Sequence, residues 1–317
     1  MTDAEDTAEL RLEPPRAAAR TERLTIDVCI CTYRRPAVVE TLKAIAAQDA
    51  RPSLALRIIV ADNAPDSEAR AAVCAAGESL GLDIVYVHAP ANNISIARNA
   101  CLAAACAEWL AFVDDDECPS PVWLSELIAE ARRGHWDAVL GPVQAVYPDP
   151  SPAWLRICDL HSTRPVWVRG RIETGYTGNV LLRRELIARA GLAFQTELGR
   201  SGGEDIDFFY RLRDAGGRIG YAPAALVHEP VPPERTNLAY LLRRNFRRGQ
   251  THGRRLRHCS ALRPSVLHLP LAAAKALLLG VAACRPDTAG RNRYLARAAL
   301  HCGVVARLAG VAEIRLY

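Results

Sequence analysis

The stretch 108–121, EWLAFVDDDECPSP, decides the fold of this chain. A run of apolar residues, typical of a buried strand, stops at three adjacent aspartates, Asp114, Asp115 and Asp116. Neighbouring carboxylates repel one another, so ionising all three is costly unless a cation or water screens them. A cluster of this kind at the mouth of a buried strand indicates a site where positive charge binds.

Apolar, β-branched runs alternate with helical patterns through the first half of the chain. Strands are predicted at LTIDVCICTY, LALRIIVADNA, LDIVYVHAP and WLAFVDDD, and helices at PAVVETLKAIAAQ, SEARAAVCAAGESLG and SIARNACLAAACA. Such alternation is typical of βαβ units. It predicts an α/β fold with a Rossmann-like, mostly parallel sheet that is covered by helices on both faces.

Each of these four strands runs into polar residues. The clusters are Thr32, Tyr33 and Arg34; Asp62 and Asn63; Asn92 and Asn93; and the three aspartates at 114–116. In open α/β sheets ligands bind beyond the carboxyl ends of the strands, so the four clusters are expected to meet in one crevice. Any one cluster taken alone could instead be a turn or a helix N-cap, because Asp, Asn and Thr favour those positions.

The second half of the chain has a mixed pattern. Further strands are predicted in DAVLGPVQAVYP, RGRIETGYTGNVLLRREL and RIGYAPAALVHEPV, and a loop leading into a helix in GGEDIDFFYRLRDAGG. From residue 235 the chain becomes basic, with nine arginines and no acid in RTNLAYLLRRNFRRGQTHGRRLRHCSALRP. We therefore divide the chain into a polar tail at 1–22 that is expected to be disordered, an α/β domain at 23–234, and a basic, amphipathic helical region at 235–317.

Carboxylates with open positions suit a hard divalent cation such as Mg²⁺ or Mn²⁺. Magnesium takes few protein ligands and shares the phosphates of a substrate, so one or two carboxylates suffice. If the strand geometry persists, Asp114 and Asp116 point to the same side, because side chains alternate along a strand. Asp115 would then face a ribose or a sugar hydroxyl.

The ordered motifs resemble glycosyltransferase family 2, an inverting class with the GT-A fold that uses nucleotide-diphosphate sugars. The matching segments are CTYRRP, ADNA, NNISIARN, FVDDDECPSPVWL, TGNVLLRRE and GGEDIDFFYRL. The pattern is similar to that of bacterial exopolysaccharide glycosyltransferases of the succinoglycan-assembly type. It lacks the Q-x-x-R-W motif and the spanning helices of processive synthases, which favours addition of a single sugar to a lipid-linked oligosaccharide.

The resemblance implies a donor site at the four strand ends. The residues expected to hold the nucleotide sugar are Thr32, Tyr33, Arg34, Asp62, Asn92, Arg98, Asp114 and Asp115. Among them, Asp62 would bind the base, most often uracil, and Arg98 the diphosphate. Asp114 and Asp116 would hold the metal. His228 resembles a third metal ligand of many GT-A enzymes, although a histidine at a strand end can also be a polar cap.

The resemblance also implies a catalytic base in GGED. An acceptor hydroxyl is a poor nucleophile until its proton is taken, and Asp205 would take it. Glu204 would orient the acceptor or raise the pKa of Asp205 by like-charge repulsion. Alternatively, the two acids could act only at the start of a helix, one as its N-cap and the other by stabilising the helix dipole. One base without a second nucleophile implies a single displacement that inverts the anomeric centre, giving a β-linked product from an α-linked donor.

The stretch 265–284 approaches the length of about 20 apolar residues that spans a bilayer. Lys275, Pro270 and His268 argue against a simple span. Beside the arginine-rich run, it is interpreted as an interfacial or re-entrant helix on an anionic cytoplasmic leaflet, with a buried helix as the alternative. We expect a cytoplasmic protein on the inner face of the membrane, and a saccharide or polyprenyl-diphosphate-linked acceptor whose diphosphate contacts the basic run.

Two other classes of function are compatible with parts of the sequence. A sugar nucleotidyltransferase also uses an aspartate-bound metal, but it begins with a glycine-rich loop, and CICTYRRP contains no glycine. A nucleic-acid-binding protein could use the arginine run. That run has few stacking aromatics, it adjoins an apolar helix, and the formal net charge of +5 is mild. We therefore expect no nucleic-acid partner.

Overall fold

The computed structural model describes residues 23–259 and 264–314, so the predicted disordered tail at 1–22 lies outside the described residues. Within them, the strands are β1 Leu24–Thr32, β2 Leu54–Asp62, β3 Ile84–His88, β4 Trp109–Val113, β5 Cys118–Pro119, β6 Ala138–Leu140, β7 Val143–Val146, β8 Trp167–Val168, β9 Arg171–Ile172, β10 Asn179–Arg183, β11 Ile219–Tyr221 and β12 Val227–Pro230. The helices are α1 Val38–Ala46, α2 Ala69–Leu80, α3 Ile94–Ala104, α4 Trp123–Gly134, α5 Ala153–Cys158, α6 Arg184–Arg189, α7 Glu204–Asp214, α8 Leu238–Cys259, α9 Pro264–Ala282 and α10 Thr288–Leu308.

The main sheet has seven strands in the order β11-β6-β10-β4-β1-β2-β3. β1 pairs in parallel with β2 and β4, and β2 pairs in parallel with β3. β10 runs antiparallel to both of its neighbours, β4 and β6. The mostly parallel α/β sheet predicted from the sequence is therefore confirmed. A smaller sheet in the order β5-β12-β7 lies beside it.

Alternation along β1 divides the core into two layers. Ile26, Val28 and Ile30 pack with the apolar faces of α1, α2 and α4. Cys29 and Cys31 point to the opposite face, where α3, α6 and α7 pack. Both faces of the sheet are thus buried, which explains why its strands are continuous apolar runs.

Local signals position the helices around the crevice. Asn93 caps α3, because its side chain accepts hydrogen bonds from the backbone N–H groups of Ser95 and Ile96. α2 ends at Gly81, whose φ of 59° lies in the left-handed region that glycine adopts without steric cost. α3 consequently starts just beyond the carboxyl end of β3, and α2 ends shortly before β3 begins, as βαβ units require.

The C-terminal helices form a bundle in which α10 lies between its two neighbours. Gly249 of α8 contacts the backbone of Leu300, and Gly303 of α10 contacts the backbone of Phe246; a Cβ atom at either glycine would overlap a carbonyl oxygen. Ala272 of α9 packs in the same core. The close approach of α8 and α10 therefore depends on small residues. α8 also reaches the crevice of the main sheet, so the region from residue 235 contributes to the same site as the α/β domain.

Candidate active site

A cavity of about 730 Å³ opens at the carboxyl ends of the central strands. All four predicted polar clusters contribute to its wall, through Thr32 and Tyr33, Asn63, Asn92 and Asn93, and the three aspartates. The carboxyl ends of parallel strands share one edge of the sheet, which is why residues so far apart in sequence meet here. Residues of α7 and α8 also line the cavity.

The three aspartates lie in a turn and not on a continuing strand. β4 ends at Val113, and the backbone N–H of Glu117 donates to the carbonyl oxygen of Asp114 at 3.2 Å. The strand geometry on which the expected alternation of Asp114 and Asp116 depended therefore does not persist, although both residues line the cavity. Instead, Asp115 turns inward and is buried, while the side chain of Asp114 remains 45% exposed to the cavity.

Asp115 and Asp116 share one cationic partner, Arg35. Thr32 Oγ1 donates to Asp115 Oδ2 at 2.8 Å, and Arg35 Nη1 lies 2.9 Å from Asp115 Oδ1 and 2.5 Å from Asp116 Oδ2. Burial raises the pKa of Asp115 to about 6, although Arg35 and Thr32 oppose this shift. The partly buried Arg35 was not identified from the sequence, because two adjacent arginines give no signal of which one turns inward.

Arg34, the arginine predicted to hold the nucleotide, points away from the cavity. Its φ of 53° is left-handed, and its guanidinium pairs with Asp66 at 2.5 Å on the surface. Tyr33 lies at the cavity rim and is 37% exposed. Of the predicted trio after β1, the structure brings Thr32 and Tyr33 to the cavity.

Asp62, predicted to bind the base, lies beneath the cavity wall. Its carboxylate is fully buried and accepts hydrogen bonds from the Ala64 N–H at 2.9 Å and from the Tyr86 hydroxyl at 2.5 Å. The next residue, Asn63, lines the cavity, and its Oδ1 accepts a hydrogen bond from the Asn93 N–H at 3.1 Å. Asp62 thus supports the loop, while Asn63 faces the cavity.

Arg98 connects the two acidic groups of the site. It is 6% exposed; its Nη1 lies 2.5 Å from Glu204 Oε1, and its Nη2 lies 3.9 Å from Asp114 Oδ1. Burial works against its charge, but Glu204 and Asp114 together raise the pKa of Arg98. A buried cation between two carboxylates offsets the electrostatic repulsion between them.

Asp205 lines the cavity at the first turn of α7. Burial and the charge of Glu204 raise its pKa to about 7, and Arg98 opposes the shift. Gly203, the residue that caps α7, supplies no side-chain hydrogen bond to the helix. Glu204 is bound to Arg98, and Asp205 Oδ1 accepts a hydrogen bond from the Ile206 backbone N–H at 2.7 Å in the first turn of α7.

His228 does not lie in the cavity wall, whereas its neighbour Glu229 does. His228 occupies a register position in β12 opposite Cys118 and Gln144. Successive side chains of a strand point to opposite faces, so only one of the two residues can face the cavity. Burial raises the pKa of Glu229, with nearby Asp116 and Asp114 adding to the shift. The structure does not bring His228 to the predicted metal site.

The carboxylates suit a divalent cation that is shared with a substrate. In the described part of the chain, no group of three or more His, Cys, Asp or Glu side chains is arranged to hold a metal by itself. Asp114 and Asp116 supply two carboxylates at the cavity, which is the number that magnesium needs when substrate phosphates complete its shell. Arg35 already places a positive charge between Asp115 and Asp116. The chemistry of this donor set fits the cation.

A model of a known protein family matches this part of the chain. The model of the family described as "Glycosyl transferase family 2" matches residues 27–191, the part that contains the four strand ends. The chain belongs to glycosyltransferase family 2. Sugar transfer is therefore its class of reaction, in preference to the nucleotidyl transfer considered from the sequence.

Relatives of this family 2 glycosyltransferase extend over nearly the whole chain. The succinoglycan biosynthesis protein ExoM of Rhizobium meliloti (strain 1021) is 48% identical over 298 residues, covering 93% of this chain and 96% of that protein. The mannosyltransferase PcManGT of Pyrobaculum calidifontis, solved with GDP-Man and Mn²⁺, has a TM-score of 0.62 at 22% identity and covers 91% of this chain and 88% of its own. S. aureus TarS 1–349, solved with UDP-GlcNAc, has a TM-score of 0.52 at 13% identity, covering 85% and 69%. The two structures confirm the GT-A fold.

Three arginines also line the cavity of this glycosyltransferase, namely Arg235, Arg244 and Arg248. The pKa of His161 falls to about 4, mainly because the side chain is buried. The positive charges of these three arginines lower it further. Part of the predicted basic run thus faces the cavity, whose wall contains both acidic and basic side chains.

Proposed function

We propose that this chain transfers one sugar, with inversion, from a UDP-linked donor to a hydroxyl group of a lipid-linked saccharide during assembly of an exopolysaccharide. The observation that carries the proposal is the cavity itself, whose wall contains Asp114 and Asp116 as well as Asp205. The similarity to a succinoglycan biosynthesis protein over nearly its full length supports the type of product.

On the donor side, we propose that Thr32, Tyr33, Asn63 and Asn92 contact the nucleotide, with Arg35 and Arg98 near the diphosphate. This replaces Arg34 by Arg35 and Asp62 by Asn63, since those are the residues that line the cavity. Asp114 and Asp116 would hold the divalent cation. When bound, the cation neutralises negative charge on the diphosphate that leaves.

On the acceptor side, we propose Asp205 as the base. An acid with a pKa near 7 is ionised in a useful fraction at neutral pH and still has a strong affinity for the proton of a hydroxyl group. Glu204, bound to Arg98, sustains that affinity by its charge. A single base supports one displacement on the sugar carbon, and hence inversion of the anomeric centre.

The type of acceptor is tested by supplying membranes. Purified protein is incubated with detergent-extracted membranes of the producing bacterium and each of several radiolabelled UDP-hexoses, with Mn²⁺ or with EDTA. We expect Mn²⁺-dependent transfer of label from one donor into the lipid-soluble fraction, and release by mild acid of a β-linked product. Label that appears solely in water-soluble saccharides would contradict the lipid-linked acceptor.

We also propose that α9 rests on the cytoplasmic surface of the membrane. No helix in the described ranges is long and apolar enough to cross a bilayer. α9 packs on the bundle through its inner face, while Leu271, Leu277, Leu278 and Val281 are 54–70% exposed. An apolar helix face of this kind, next to the arginine-rich α8, matches the chemistry of an anionic lipid surface.

Vesicle flotation tests this contact. The double variant Leu277→Glu/Leu278→Glu is expected to lose at least tenfold in binding to vesicles with one-third phosphatidylglycerol, because it places two acids on the face that would touch lipid. Val166→Glu/Val168→Glu is the matched control, since it makes the same change at exposed residues elsewhere in the chain. Equal binding by both double variants would contradict the proposed orientation.

A further inference from the structure

The loop that leads into α7 is supported from behind by α8. Gly202 and Gly203 have φ values of 84° and 88°, which side-chain-bearing residues rarely adopt. A Cβ atom on Gly203 would lie 2.5 Å from Thr251 Cγ2 and 2.7 Å from Arg254 Nη2. Because Asp205 follows two residues later, the position of this loop determines where its carboxylate lies.

Two arginines of α8 bind the carbonyl oxygens of the loop. Arg247 donates through Nη2 to the carbonyl oxygens of Ser201 and Gly202, and Arg254 donates through its Nη2 to that of Gly202 at 3.2 Å. Arg247 also donates to Thr251 Oγ1 at 2.8 Å and is only 4% exposed. A charge this deeply buried requires an acidic partner.

That partner is Glu313, which follows α10 in the chain. Its Oε2 lies 2.8 Å from Arg247 Nη2 and 2.9 Å from Arg254 Nη1, and its Oε1 lies 3.3 Å from Nε of Arg307 in α10. The carboxylate is 11% exposed. Three guanidinium groups surround one acid, so removing the acid would leave three like charges to repel one another in a site of low dielectric constant.

The backbone on both sides of Glu313 is also fixed. Gln250 of α8 is fully buried; its Nε2 donates to the Ala312 carbonyl oxygen at 2.9 Å, and its Oε1 accepts from the Ile314 N–H at 2.9 Å. The segment 311–314 is therefore held in one register against α8. Glu313 consequently reaches the two arginines from a defined position.

We infer that Glu313 is a positioning residue for the reaction: it orients Arg247 and Arg254, which fix the loop carbonyls and thereby the carboxylate of Asp205. The inference rests on the proposed role of Asp205 as the base. Since a displacement of about 1 Å in a reacting group costs on the order of 100-fold in rate, a support of this kind affects turnover without touching substrate.

Hydrogen–deuterium exchange and kinetics of Glu313→Gln test the inference. We expect faster exchange in the peptide at 198–207, unchanged exchange in the peptide at 109–116, and a kcat that is about 10- to 100-fold lower for UDP release from UDP-hexose. The KM for the donor and the manganese-dependent binding of UDP should stay within twofold, because Glu313, Arg247 and Arg254 do not line the cavity. If Glu313 only stabilised the fold, Glu313→Gln would change exchange in both peptides, kcat, KM and UDP binding together.

Two further variants complete the experiment. Glu185→Gln removes an equally charged but 74%-exposed side chain on α6 and should leave exchange and kcat unchanged. Glu313→Asp keeps the carboxylate and should recover most of the lost kcat. If Glu313→Gln does not fold, Glu313→Asp takes its place in the experiment, and we expect the same changes in loop exchange and kcat at a smaller size.

Unchanged loop exchange with kcat within twofold would overturn the inference, and so would a loss of UDP binding in proportion to kcat. Absence of turnover in the unmodified protein would instead contradict the proposed function. The exchange measurement would then still test the role of Glu313, because it requires no reaction.

Discussion

Asp205→Asn is expected to lower kcat by about 10²- to 10⁴-fold, the range that a positioned general base contributes. The amide has nearly the shape of the carboxylate but cannot take the proton of the acceptor hydroxyl. Binding of UDP with Mn²⁺ should be unchanged, because Asp205 is not among the residues proposed to hold the nucleotide or the cation. The measurement is steady-state transfer together with calorimetric UDP binding for both proteins.

The pH profile gives an independent test of the same base. Burial and Glu204 raise the pKa of Asp205 to about 7, and the reaction needs the deprotonated form. We therefore expect kcat/KM to rise with pH up to about 7 and to level off above it. In Asp205→Asn this ascending limb should disappear. Asp207→Asn serves as a control, since it removes an acid of the same helix turn that pairs with Arg211 and does not line the cavity. A normal kcat in Asp205→Asn would show that another group takes the proton.

Replacing Arg98 by methionine is expected to reduce the free energy of unfolding by about 3–5 kcal/mol, the usual cost of leaving one member of a buried ion pair alone. The side chains of Arg98 and Glu204 are each only 8% exposed, so water cannot stabilise the charge that remains on Glu204. Urea unfolding followed by circular dichroism measures this loss. The double variant Arg98→Met/Glu204→Gln should recover most of it, because no uncompensated charge is then buried.

The control for this prediction is Arg183→Met. Arg183 lies 3.7 Å from Glu108 and 3.9 Å from Asp137, with its side chain 32% exposed. Pairs near the surface contribute about 0–1 kcal/mol, so a loss of at most that size is expected. If Arg98→Met lost no more than Arg183→Met, or if the double variant were no more stable than Arg98→Met, the role of Arg98 as the buried partner of Glu204 would be wrong.

The sheet and its helices could be predicted from the sequence because local signals and global packing agree there. Apolar runs mark β1 to β4, Asn93 caps α3, and Gly81 ends α2. The convergence of the four polar strand ends follows from parallel topology alone. These features depend on neighbouring residues or on a rule that holds for every open α/β sheet.

The details of the site could not be predicted in the same way. Residue types alone do not determine which member of a neighbouring pair lines the cavity, because a shift of one position exchanges the two. This applies to Arg34 and Arg35 and to His228 and Glu229. The turn after Val113 replaced an expected strand extension. Glu313 lies 59 residues from Arg254 and meets it only because α8 and α10 pack together.

Calorimetry of UDP binding tests the central claim, a donor site held together by Asp114, Asp116 and a divalent cation. UDP is titrated into the protein with Mn²⁺ and with EDTA, and the titrations are repeated for Asp116→Asn and for Asp149→Asn, whose side chain is 88% exposed. The account predicts Mn²⁺-dependent binding that is kept in Asp149→Asn and lost in Asp116→Asn, while all three proteins unfold at similar temperatures. Binding of UDP that is equally strong with EDTA, or that persists in Asp116→Asn, would contradict it.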